Sequence, residues 1–307
     1  MEIDDYFKIK TDDIYKEGWY SLNRPAHDLF FHYLRISPSY ELARKASKGR
    51  LSTEEKKRLP KDFNKVQETY ALLGDVQNTL FRYWWQKVGH EVFGVPHEYP
   101  TVDLICVLDG SAPRSRQIQN DVADYLKTKA AKAGNSPALI ISIPLDSDIK
   151  DRMQWVKKYL MQYKNLRKSK KIKVKPKIEL KGKRINQQAL VRGWGLLRFK
   201  SAFPDMENWR LGAAANLSPS YSPVLKVLGP RKTTDSREAQ DRVLMGKITH
   251  RSLKKYQFIA ENAARGNFPS ESKIEMAFFD YEEINRLYEK TKKWEEKELQ
   301  KVKASSK

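Results

Sequence analysis

Residues 164–184 restrict most strongly what this chain can become: eleven of the twenty-one are Lys or Arg, and Glu179 is the only acid among them. Like charges repel, and a segment with so little apolar area cannot bury itself. It requires either water and counterions or a polyanion. The whole chain leans the same way, with 59 Lys+Arg against 38 Asp+Glu and a formal net charge of +21. Cations placed on phosphates release condensed counterions, which drives nucleic-acid binding without regard to sequence. Nucleic acid is therefore the expected partner, DNA ahead of RNA, with Arg167, Lys168, Lys170, Lys171, Lys173, Lys175 and Lys177 on the phosphates. A solvated basic linker is the plain alternative.

The remainder has material for a core, with 40% hydrophobic residues, 7 Trp, 15 Tyr and 12 Phe. At about 100–200 residues per domain, the length suits one large domain or two to three small ones. No apolar run approaches the ~18 residues of a membrane span, so no membrane partner is expected. The acidic start, Met1 to Tyr6, lacks the basic and apolar regions of a signal peptide. A single cysteine, Cys106, excludes an internal disulfide or a multi-thiolate zinc site, and a reducing cytoplasm fits.

Periodicity predicts an α+β fold that is mostly α. Residues 1–100 read as a helical domain. Asn23-Arg24-Pro25 opens a helix carrying Leu29, Phe30, Tyr33 and Leu34, and further helices start near Tyr40, Ser52, Asp62 and Asp75. Trp84 and Trp85 are neighbours, about 100° apart on a helix, so one is expected inward and the other towards a protein partner or solvent. Residues 101–163 read as a small α/β unit, with buried strands at 102–108 and 138–144 and a helix after each. Residues 164–184 form the basic linker or arm. Residues 185–270 read as a helical, helix-turn-helix-like nucleic-acid-binding domain, with separate helices over 235–245 and 249–264 among its elements. Residues 271–307 read as a charged C-terminal helix, solvated or a weak interaction arm.

Chemistry-bearing motifs are sparse. No HExxH, P-loop or strand-borne GxGxxG occurs, and no cofactor is implied. His90 and His97 lie near Glu91 and Glu98, where loop histidines are the plain reading and a small metal cluster the sharper one. Asp103 and Asp109 bracket the first expected strand, where a metal-dependent nuclease would hold its ion; Asp109-Gly110 also reads as an ordinary turn. The C-terminal third is more informative. Residues 249–264 combine an apolar stripe (Leu253, Tyr256, Ile259, Ala260, Ala263) with Lys247, His250, Arg251, Lys254 and Lys255 near its first turns. Upstream lie Arg231, Lys232, Arg237 and Arg242. The segment from Trp209 to Leu217, rich in Ala and Gly, resembles a first helix that packs closely on a second. A basic surface on an ordinary helical bundle is the plain reading.

The segment Asp28 to Tyr40 resembles the "FLRRNPxY" motif of the bacterial transcriptional regulator-like domain family carried on integrative and conjugative elements, with Ile36-Ser37 for the usual Arg-Asn. The strand–proline–helix segment from Ile140 through Leu160 resembles that family's middle region. Tyr256 to Pro269 is similar to its "IxNAxxGxFP" close. The resemblance covers about a fifth of the chain and implies a regulator or accessory factor of a mobile element or defence system, with no defined reaction. An RNA-binding subunit of a ribonucleoprotein and a nuclease using Asp103 and Asp109 are the alternatives.

Overall fold

The computed structural model describes residues 16, 19–21, 25–96, 102–108, 115–131, 137–145, 148–163, 165, 175–182 and 185–305. In chain order the elements are β1 (Trp19–Tyr20), α1 (Pro25–Ile36), α2 (Pro38–Ser47), α3 (Thr53–Lys57), α4 (Phe63–Leu73), α5 (Phe81–Trp84), α6 (His90–Phe93), β2 (Val95–Pro96), α7 (Ser115–Tyr125), α8 (Ile149–Gln162), α9 (Gln187–Ala202), α10 (Asn208–Ala214), α11 (Ser236–Ala263) and α12 (Tyr281–Ser305). The fold is mostly helical, and the ladder between β1 and β2 is the only sheet among the described residues. No helix among them is long and apolar enough to cross a membrane.

Residues 1–95 and 175–307 make one compact unit, and 96–174 another. The helices that periodicity divides between a 1–100 and a 185–270 domain therefore share one core. α1 is its centre: ten of its twelve residues are buried, so other helices must wrap it. It packs against α9, α11 and α12. Thus α12 is not a loose arm. Ile284 and Thr291 are buried, and Glu295 pairs with Arg35 at 2.7 Å.

Within the first unit, polar links also tie residues 1–95 to residues 175–307. Glu261, wholly buried on α11, accepts from Ser37 Oγ at 2.7 Å, Ser39 N at 3.0 Å and Arg265 Nη1 at 3.3 Å. Asp62 precedes α4 but caps nothing. Its two oxygens accept from Arg265 Nε and Nη2 at 2.8 and 2.7 Å, which holds the carboxyl below its usual range. The buried carboxylate of Glu261 needs its lone pairs filled, and its donors fill them.

Trp84 and Trp85 both face inward, at 3% and 0% exposure. After α5 the helix widens into a π-turn over Trp85–Gly89, which changes the angular step. Gly89 has no Cβ to obstruct the Trp85 ring lying on it, and Trp84 Nε1 donates to Leu73 O at 2.8 Å. The expected outward tryptophan does not exist, and the aromatic helices of the first hundred residues offer no partner face built on it.

In the second unit, α7 continues as a π-turn over Leu126–Ala130, and Asp148 caps α8 by accepting from Lys150 N at 2.6 Å. The two expected strands are a correction. Among the described residues, neither 102–108 nor 137–145 joins a ladder, and most of their apolar side chains are exposed. β-branched composition favours strands, but only a hydrogen-bonded neighbour makes one.

Candidate nucleic-acid interface

α11 runs unbroken for 28 residues, where the sequence suggests two helices. Asp235 caps it, accepting from the backbone N–H of Arg237 at 2.8 Å and of Glu238 at 3.4 Å. Its last six residues, from Phe258 to Ala263, are all core. Arg242, Met245, Thr249, Leu253 and Tyr256 mark the buried side of the first six turns. With 3.6 residues per turn, the opposite side carries Arg237, Gln240, Val243, Leu244, Lys247, His250, Arg251 and Lys254, all exposed. None of these is acidic. The three acids of α11 lie elsewhere: Glu238 binds Arg242 at 2.8 Å, Asp241 is half-buried, and Glu261 is in the core. From Arg237 to Lys254 the stripe extends about 26 Å at 1.5 Å per residue.

Close packing holds the helix in place. A Cβ at Gly193 of α9 would overlap the Tyr256 ring, and one at Gly212 of α10 would overlap Thr249 Oγ1, so both glycines permit near approach to α11. The expectation that the Ala- and Gly-rich segment packs tightly on a later helix is met here. The arrangement is nevertheless not a helix-turn-helix. Residues 215–235 separate α10 from α11, whereas that motif uses a turn of about three or four residues.

The expected basic residues fall into four groups. Arg231, Lys232, Arg237, Arg251 and Lys254 are exposed, although Arg231 Nε lies 3.5 Å from Glu207. Lys175 and Lys177 are exposed too, on a segment anchored where buried Ile178 donates its N–H to Val92 O at 3.1 Å. Lys255 is half-buried and pairs with Glu271 at 2.7 Å. Arg242 is the exception: it is buried, with its guanidinium 4.3 Å from the Trp209 ring centre, and it donates to Pro230 O and Arg231 O. Its position on the core side of α11 makes it a structural clamp, not a phosphate ligand. Arg167, Lys168, Lys170, Lys171 and Lys173 lie outside the described residues.

Arg210 completes the clamp, and nothing in the periodicity singles it out. It lies 4.5 Å from the Trp209 ring and donates to Glu207 at 2.9 Å, to Val227 O, and to Gly229 O at 2.9 Å. Its hydrogen bond holds the Glu207 carboxyl below the usual range, as those from Thr233 and Arg242 do for Glu238. The one local signal is Trp209-Arg210 itself, an aromatic ring beside a planar cation.

Asp103 is engaged by Lys129 Nζ at 2.9 Å, and Asp109 lies outside the described residues. His90 is buried and hydrogen-bonded to Ser21 Oγ; His97 too lies outside them. Compared with known proteins, the chain matches no family model, curated protein or solved structure. The regulator-like resemblance therefore rests on its short motifs alone.

Proposed function

We propose that the protein binds DNA through the exposed face of α11, with the basic run at 164–184 adding sequence-independent affinity, as a regulator or accessory factor would. The observation that carries this reading is the acid-free stripe of Arg237, Lys247, Arg251 and Lys254 on a rigidly held helix. A solvated helix face commonly mixes charge signs, so that i,i+3 and i,i+4 pairs form. α12 does so on its own exposed side, where Arg286 pairs with Glu283 and Lys301 with Glu298. The α11 face does not, and its uncompensated positive charge suits a row of phosphates. Its length suits contacts on both sides of a groove. Val243 and Leu244, within the stripe, can meet sugars or thymine methyl groups.

The test is the salt dependence of duplex binding. Replacing Arg237, Lys247, Arg251 and Lys254 with Ala should reduce the slope of log K against log salt by about 3.6, at roughly 0.9 for each phosphate no longer neutralised. An unchanged slope removes α11 from the interface.

A further inference from the structure

The connection leading into α11 combines three properties that seldom occur together. From Ser218 to Thr234 it contains Lys226, Arg231 and Lys232 and no Asp or Glu. It is also pinned. Leu225 is buried with Trp209, Ala213 and Met245 in a small core of its own, with Tyr221 and Val227 packed against it. Arg210 holds the carbonyls of Val227 and Gly229, and Arg242 holds those of Pro230 and Arg231 at 3.0 and 2.9 Å. Amid these four clamped carbonyls, Leu228 is 98% exposed.

A lone surface leucine is ordinary. A leucine presented whole to solvent on a braced tip, with exposed cations on both sides, is a different object. Its occupant must offer an apolar surface behind a row of anions. Stacked base pairs behind a phosphate backbone match that description. Single strands are instead gripped by aromatic rings on which bases stack, and this tip is aliphatic, so a duplex is favoured.

Resting on the DNA-binding reading above, we infer that Leu228 is a wedge that enters the minor groove of duplex DNA and partly unstacks one base step, kinking the duplex. Arg231 and Lys232 hold the flanking phosphates. Apolar side chains inserted between base steps kink DNA in this way, and the insertion succeeds only if the protein does not yield first. Arg210 and Arg242 supply that rigidity as positioning residues.

Full-length protein and a short, end-labelled duplex of mixed sequence test this. Anisotropy at several salt concentrations reads affinity, and energy transfer between the ends reads bending. Wild type should bring the ends closer. Leu228→Ala should return them to the free-duplex distance and weaken binding about tenfold, with the salt slope unchanged. Leu228→Phe should restore the bend. The site is exposed, so neither change threatens folding. Bending by Leu228→Ala equal to wild type, or wild-type binding with no bend, overturns the wedge and leaves phosphate binding standing. Wild-type protein that ignores the duplex in dilute salt overturns the wedge and the DNA-binding reading together.

Discussion

Asp28 and His32 lie one turn apart on α1, buried, with Oδ1 and Nε2 3.5 Å apart and the Arg35–Glu295 ion pair beside them. Burial pushes the Asp28 carboxyl from 3.8 up to about 7, and pushes the His32 imidazole from 6.5 down to about 3. Between pH ~4 and ~7 the folded state holds a proton on Asp28 that the unfolded state has lost, so this residue's contribution falls as pH rises. Between pH ~3 and ~6.5 the unfolded state holds a proton on His32 that the folded state lacks, so that contribution falls as pH drops. Each slope is about 1.4 kcal/mol per pH unit, and over their shared range they oppose one another. Asp28→Asn should expose the histidine slope: relative to wild type, stability should drop by roughly 2 kcal/mol from pH 7 to 5. His32→Gln should tilt the difference the opposite way. Urea unfolding across this range checks both, and parallel profiles for variant and wild type would sink the account.

Two glycines separate packing from propensity at the scale of the helix. Gly193 is where α9 meets the Tyr256 ring of α11, whereas Gly246 sits mid-helix on α11 with nothing within 4 Å of where a Cβ would be. Ala at 193 should cost about 1–3 kcal/mol by overpacking. Ala at 246 should add up to about 1 kcal/mol by removing backbone entropy from the unfolded chain. Chemical denaturation distinguishes them, and a stabilising Gly193→Ala would refute the close crossing. The same contrast explains why periodicity alone breaks α11 at Gly246. Propensity marks that residue as a weak point, but Met245 and Thr249 on either side are buried against Gly212 of α10 and hold the helix together.

At the scale of the molecule, Glu261 bonded to Ser37 and Ser39, and Arg265 bonded to Asp62, join residues more than two hundred positions apart. Fragments 1–95 and 175–307 should therefore show little cooperative folding alone and gain helix when mixed; circular dichroism checks this, and a sharp unfolding transition in either fragment alone would contradict it. Charge balance, the absence of a membrane-length apolar helix and the starts of α1, α2 and α4 are all legible in the sequence. Each depends on residue identity or on neighbours a few positions away: Pro25 at a first turn, the Ser37-Pro38-Ser39 break that places α2 within two residues of its start, Gly74 at a terminus. Which cations face water is not legible there. Arg242 and Arg251 are alike in the sequence, yet one is buried on Trp209 and the other exposed, because that outcome depends on a partner helix thirty residues upstream. The same holds for 102–108 and 137–145, whose composition says strand. Composition and local spacing thus determined the electrostatics and the helical character. Burial and ladder pairing require partners distant in the chain, so only the tertiary structure decided the shared core, the inward tryptophans and the clamp beneath Leu228.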